Sequence, residues 1–166
     1  MRYLMRQKLI SLGDDYIIKD ASGRECFRVK GKVVSFGDKL SFQDMRGQEL
    51  AFIRERHLTW GPTYDIEVDG RTVAIIKKSL FTLLHCRFSV DVPGPDDLEA
   101  RGSFMDQEYE ISHVRDGRIA AVVSKRWFSW ADTYGVDVED GENDLLILAT
   151  TVVIDLCCEP DTGSGD

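Results

Sequence analysis

No C-x-x-C pair occurs among the four cysteines, and two of them, Cys157 and Cys158, are adjacent. Neighbouring cysteines rarely bridge each other, so the pattern excludes a disulfide framework and a zinc knuckle. Reduced, mostly buried thiols in a cytoplasmic protein are expected for Cys26, Cys86, Cys157 and Cys158. No uncharged apolar run is long enough for a bilayer: Leu145–Ile154 has ten residues, and with Leu156–Cys158 added it still falls short of the roughly 20 needed. Met1–Ile10 carries Arg2, Arg6 and Lys8 without an apolar h-region, which argues against a signal peptide. A Gly-rich phosphate loop, a G-x-S-x-G elbow and a dinucleotide fingerprint are all missing, so no enzyme class has a motif here.

What is present is ordinary globular composition: 166 residues, 43% apolar and 30% charged, enough for one domain with a substantial core. Lysine and arginine number 21 against 29 acidic residues, a net charge of -8 that repels nucleic acid and anionic membranes at long range. Nucleic acid is therefore not an expected partner, and any basic patch must be local.

Turn signals recur at short spacing, among them Asp20-Ala21-Ser22-Gly23, Asp44-Met45-Arg46-Gly47, Asp69-Gly70, Pro93-Gly94-Pro95-Asp96, Asp116-Gly117 and Asp140-Gly141. Asp-Gly supplies the positive φ that tight hairpins need, so the spacing implies many short antiparallel strands. Between the turns apolar residues alternate, as in Leu40 and Phe42, Tyr64, Ile66 and Val68, or Phe88 and Val90. Val73–Ile76 and Ile119–Val123 are continuous apolar runs, which suit strands covered on both faces. The expectation is a mainly β, hairpin-rich sheet or barrel. Leu145–Ile154 breaks the pattern. It is apolar all round apart from Thr150 and Thr151 and follows Asn143 and Asp144, either of which suits an N-cap. A buried core helix is expected, with the β-branched Thr150–Ile154 keeping a buried strand as the alternative. Residues 1–159 read as one domain, and 160–166 as a disordered polar tail.

Residues 47–70 align without gaps on 117–140. Gly47, Ala51, Arg56, Trp60, Thr63, Tyr64 and Val68 match Gly117, Ala121, Arg126, Trp130, Thr133, Tyr134 and Val138. Each copy reads as a strand, a short connection around the tryptophan and a returning strand, giving two similar halves of one sheet system. Trp60 and Trp130 are expected as equivalent core anchors.

The three histidines, His57, His85 and His113, lack metal-ligand spacing and read as hydrogen-bonded structural residues. No metal and no cofactor is expected. The carboxylates Asp65, Glu67, Asp69, Asp91, Glu108, Glu110, Asp137 and Glu139 mostly alternate with apolar residues, as a solvated strand face does. Three clusters depart from the acidic background: Arg54, Arg56, His57 and Trp60; Lys77, Lys78 and Phe81; and Lys125, Arg126, Trp127, Phe128 and Trp130. Basic residues beside aromatics suit a phosphate-bearing ligand or a membrane interface. The competing reading is edge-strand charge and core aromatics, with nearby carboxylates neutralising the cations.

Gly23 with Phe27-Arg28-Val29-Lys30-Gly31, Leu40-Ser41-Phe42-Gln43-Asp44 with Gly47, Trp60, and the run Asp144–Ala149 to Ile154-Asp155 together resemble the LURP-one-related family. Its domain is similar to the tubby C-terminal domain and to phospholipid scramblases. The resemblance implies a closed antiparallel barrel of about twelve strands threaded by the hydrophobic C-terminal helix. It implies no activity, since tubby domains bind phosphoinositides and scramblases act on membranes while most LURP-one-related proteins have no established one. The functional expectation is a non-enzymatic domain that binds an anionic phospholipid or other phosphate-bearing ligand through Lys77, Lys78, Lys125 and Arg126, joined by Arg54 and Arg56. The alternative is a structural or protein-interaction domain.

Overall fold

A computed structural model describes residues 1–8, 15–31, 39–82, 85–127 and 133–158. The short strands are β1 (Arg2–Lys8), β2 (Asp15–Asp20), β3 (Glu25–Gly31), β4 (Lys39–Asp44), β5 (Glu49–Glu55) and β6 (Thr63–Val68) in the first half. The second half holds β7 (Arg71–Thr82), β8 (His85–Asp91), β9 (Leu98–Ser103), β10 (Glu108–His113), β11 (Ile119–Ser124) and β12 (Thr133–Val138), followed by helix α1 (Asp144–Cys158). Each strand pairs antiparallel with its sequence neighbours, and β1 pairs with β12 from Arg2↔Asp137 to Arg6↔Thr133, closing a barrel of twelve strands.

Alternation fills the interior. Met5, Ile18, Val29, Phe42, Ile53, Ile66, Ile76, Phe88, Val90, Ile111 and Val136 are all buried toward the barrel axis. A ring this wide cannot be filled by its own side chains alone, and α1 occupies the axis. Ile147–Ile154 of the helix is buried without interruption, which is why the segment is apolar all round. Thr150 and Thr151 do not turn it into a strand; the Thr151 hydroxyl donates back to the Ile147 carbonyl at 2.9 Å, as helical threonines do. Asn143 is the N-cap, its Oδ1 accepting the Leu146 N–H at 3.1 Å. The continuous apolar runs are not doubly covered: Val73, Ile75 and Val122 lie on the outer face and are only half-buried, because among the described residues no second layer of strands or helices packs outside the barrel.

The repeat is a repeat of structure. β5 and β6 pair Phe52↔Glu67, Ile53↔Ile66 and Arg54↔Asp65; β11 and β12 pair Val122↔Asp137, Val123↔Val136 and Ser124↔Gly135. These registers are identical once 70 is added to every number. Four strands lie between the two hairpins on either side of the ring of twelve, so they stand on opposite sides of the barrel.

Antiparallel order sends the connections to two ends. β2–β3, β4–β5, β6–β7, β8–β9, β10–β11 and β12–α1 turn at one end, where the helix enters. The other connections lie at the opposite end, where the helix terminates. We call these the turn end and the loop end.

Candidate functional site

At the turn end, carboxylates serve the backbone. Asp20 Oδ1 accepts the N–H groups of Ser22 and Arg24, and Asp44 Oδ1 those of Arg46 and Gln48, each at 2.9–3.0 Å. Gly23 and Gly47 supply the positive φ of +84° that both turns require. The Ser22 hydroxyl, opposed by burial, and then the Arg24 and Ser22 N–H groups and the Arg24 charge, hold the Asp20 pKa down at about 2. Asp97 likewise accepts the Val92 N–H and Asp116 the Arg118 N–H. These four carboxylates have a local structural use.

The loop end is built differently. The β5–β6 connection, residues 56–62, is fixed at its base by Arg56 N–H to the Thr63 carbonyl (2.7 Å) and Lys78 N–H to the Pro62 carbonyl (3.0 Å). Gly61 runs so close to β7 that a Cβ would stand 3.3 Å from the Lys78 carbonyl. The Thr59 hydroxyl donates to the Gly61 carbonyl at 2.8 Å, so the loop carries its own internal hydrogen bond. On this scaffold Leu58 and Trp60 are completely exposed, at 105% and 107% of their reference areas. Trp60 is therefore no core anchor: it sits in the connection, beyond the strand ends and outside the sheet. Trp130 lies outside the described residues. Leu58 also adopts φ +64°, a conformation that costs a non-glycine residue about 1 kcal/mol. Met105, in the β9–β10 connection of the same end, is exposed as well.

The six basic residues singled out in the sequence all lie toward this end, and strand geometry separates them. Lys77 and Lys78 point to opposite faces of β7. Lys77 faces outward and pairs with Asp91 at 2.6 Å. Lys78 faces inward, donating to the Cys157 carbonyl at 2.6 Å with its ammonium 5.9 Å from the Phe88 ring centroid. It supplies the cation that the last turn of α1 lacks. Arg54 and Arg56 enclose Asp65, which is on the outer face yet buried, contrary to the solvated position expected for it. Arg56 Nε lies 2.9 Å from both Asp65 oxygens, and Arg54 Nη2 is 2.5 Å from Glu67 and 3.5 Å from Asp65.

In the second copy the position of Asp65 is taken by Gly135 and that of Arg54 by Ser124. Arg126 is left with a 3.8 Å approach to Glu108 and a side chain 85% exposed. Glu108 itself is held from several sides. Burial works to raise its pKa, but the Arg126 and Lys125 N–H groups, the Ser124 hydroxyl and the Arg126 charge keep it below the usual carboxylate range. Lys125 and Arg126 thus remain the most accessible cations of the set, across the barrel from Leu58 and Trp60. The side chain of Phe81, together with Phe128, falls outside the description. Trp127 does not stand free: the Arg2 guanidinium lies 4.5 Å from its ring centroid.

Within the barrel, beneath this end, Asp155 accepts from the Tyr16 hydroxyl at 3.1 Å and from Gln107 Nε2 at 3.0 Å. These bonds fix how deep the helix sits. Among the described residues no group of three or more His, Cys, Asp or Glu side chains is placed to hold a metal ion. Cys26, Cys157 and Cys158 are in no disulfide among the described residues and are half-buried rather than fully so. No described helix is long and apolar enough to cross a membrane.

A closed twelve-strand barrel around one apolar helix fits what the family model for LURP-one-related proteins found, a match over residues 1–155. The chain belongs to the LURP-one-related family. It is 30% identical over 152 residues to the uncharacterized protein YxjI of Bacillus subtilis, covering 92% of this chain and 90% of that one. Its fold is similar to the X-ray structure of a protein from Arabidopsis thaliana, with a TM-score of 0.66 at 16% identity, covering 93% of this chain and 89% of that one. At that identity the likeness speaks for the fold of this LURP-one-related chain alone.

Proposed function

We propose that this LURP-one-related chain is a non-catalytic binding module that rests its loop end on a membrane surface. Leu58 and Trp60 enter the headgroup–acyl boundary, while Lys125 and Arg126 face lipid phosphates. The observation that carries this reading is the Leu58–Trp60 loop. Leu58 bears a strained backbone and a fully hydrated side chain, and Trp60 gains no burial either. Two large apolar side chains presented on a hydrogen-bonded loop have no use within the fold, and aromatic rings favour the bilayer interface. Charge supports the orientation. The described loop-end connections carry Arg56, Lys125 and Arg126 against Asp106, whereas those of the turn end carry Asp69, Asp96, Asp97, Asp116, Glu139, Asp140 and Glu142 against Arg24, Arg46, Arg115 and Arg118. Burying the two side chains is worth about 2–3 kcal/mol each, which gives weak, reversible attachment.

A second reading, a protein-interaction domain, is favoured by one observation: Arg54, Arg56 and Lys77 are already engaged by Asp65, Glu67 and Asp91. Flotation separates the two. Phosphatidylcholine vesicles with and without phosphoinositide should carry the protein at low and at physiological salt. The phosphoinositide increment should be salt-sensitive and reduced in Lys125→Glu, Arg126→Glu. Trp60→Ala should lower partitioning by about tenfold or more. No flotation with either lipid at either salt would leave the protein-interaction reading in place.

A further inference from the structure

The turn end holds a cleft of about 410 Å³ beside the first turn of α1, on the far side of the molecule from Leu58 and Trp60. That size lies within the roughly 300–1,000 Å³ of small-ligand sites. Its apolar floor comes from Val92 and Leu98 at the ends of the β8–β9 connection and from Leu146 and Ile147 of the helix. One wall is rigid. Glu142 Oε1 lies 2.6 Å from Arg118 Nη1 and 2.9 Å from His113 Nε2, and Arg118 Nη2 is 3.0 Å from the same ring nitrogen. This triad ties the β10–β11 hairpin to the segment leading into α1. It also consumes the positive charge of the wall, because Arg118 faces Glu142.

The rim is different. Asp96 and Asp140 both line the cleft, both are exposed, and neither has a hydrogen bond or ion pair among the described residues. Their neighbours are otherwise employed: Asp97 closes its own loop and Asp116 its own turn. With Arg118 set against Glu142, the lining retains the two negative charges of Asp96 and Asp140, on a chain that is itself strongly acidic.

We propose that this cleft is a binding site for a small organic cation, an alkylammonium-type ligand. Its apolar body would lie on Val92, Leu98, Leu146 and Ile147, and its charged head would sit between Asp96 and Asp140. An anionic ligand of the same shape is disfavoured, since Arg118, the cation that would receive it, is already paired with Glu142. The site is separate from the loop end, and neither depends on the other.

The test is an amide chemical-shift titration of the whole chain with n-pentylammonium, pentanoate and pentanol at low salt. Pentylammonium should give saturable shifts at Val92, Leu98, His113 and Ile147, and pentanoate none. The exposed double substitution Asp96→Asn, Asp140→Asn should weaken pentylammonium by about tenfold with an unchanged melting temperature. Three results would each overturn the proposal: no saturable shift at the cleft with pentylammonium, pentanoate binding as well as or better than the ammonium, or pentylammonium binding undiminished in the double variant. Pentanol binding as tightly as pentylammonium would likewise remove the cation from the assignment.

Discussion

The two ends of the barrel solve the same problem, joining antiparallel strands, with different residues. At the turn end, Asp20, Asp44, Asp97 and Asp116 fold back onto their own backbone and glycines take the positive φ, so these four connections are braced from within. At the loop end, the β5–β6 connection spends its hydrogen bonds on fixing its shape and leaves a leucine and a tryptophan in water. One end is optimised for stability and the other is not. Such an imbalance marks where a protein meets something else.

Substitutions along the axis joining the ends break this contrast to different degrees. Leu148→Asp puts an unpaired charge at a fully buried helix position, and a loss of ~4 kcal/mol or more is expected, seen as loss of the cooperative thermal transition. Acid acts on the turn end through Asp20 and Glu142, and on the loop end through Glu108, whose pKa is also depressed. The folded pKa of Asp20 is depressed to about 2, so its contribution is complete above about pH 4 and disappears as pH falls through 2. Glu142 shifts the same way: burial opposes it, but the bonds from His113 and Arg118 prevail. Urea midpoints should therefore fall between pH 4 and pH 2, and Asp20→Asn should flatten that fall.

Neighbouring lysines sharpen the comparison. Lys78→Met removes the cation from the helix C-terminus and should cost about 1–2 kcal/mol, while Lys77→Met, which breaks an exposed pair, should cost under about 1 kcal/mol. Chemical denaturation of the two variants checks this, and equal losses would contradict the inward and outward assignment. The smallest effect has the opposite sign. Leu58→Gly relieves the positive φ and should leave stability unchanged or raise it by up to ~1 kcal/mol, while weakening vesicle flotation. Trp130→Ala should weaken flotation as Trp60→Ala does, if the sequence repeat extends to use.

Much of the fold was legible beforehand. Asp-Gly spacing and alternation gave hairpins, and an uncharged run too short for a bilayer gave a core helix, because both follow from local rules of period and burial. The repeat predicted equivalent strand pairs, and the two registers agree residue for residue. What failed was Trp60. Sequence says that a large aromatic is buried more often than not; it does not say that this one falls in the connection, beyond the strand ends. Asp65 escaped for a related reason, since strand parity assigns it to the outer face but cannot show two arginines folding over it. The basic clusters were found as residues, yet adjacency in a strand means opposite faces, so Lys77 and Lys78 do not act together. The cleft at His113, Arg118 and Glu142 carried no linear motif, its parts coming from three connections and a helix.

The order of parts along the chain has a consequence for synthesis. The ring closes only when β12 reaches β1, more than a hundred residues earlier, and the helix that fills it follows every strand. Contacts this distant in sequence make for slow folding. On the ribosome the strands emerge first with their apolar faces uncovered, and nothing within the chain can shield them until α1 is released. Any truncation that removes α1 should therefore leave a nascent chain held open, a client for chaperones rather than a smaller barrel.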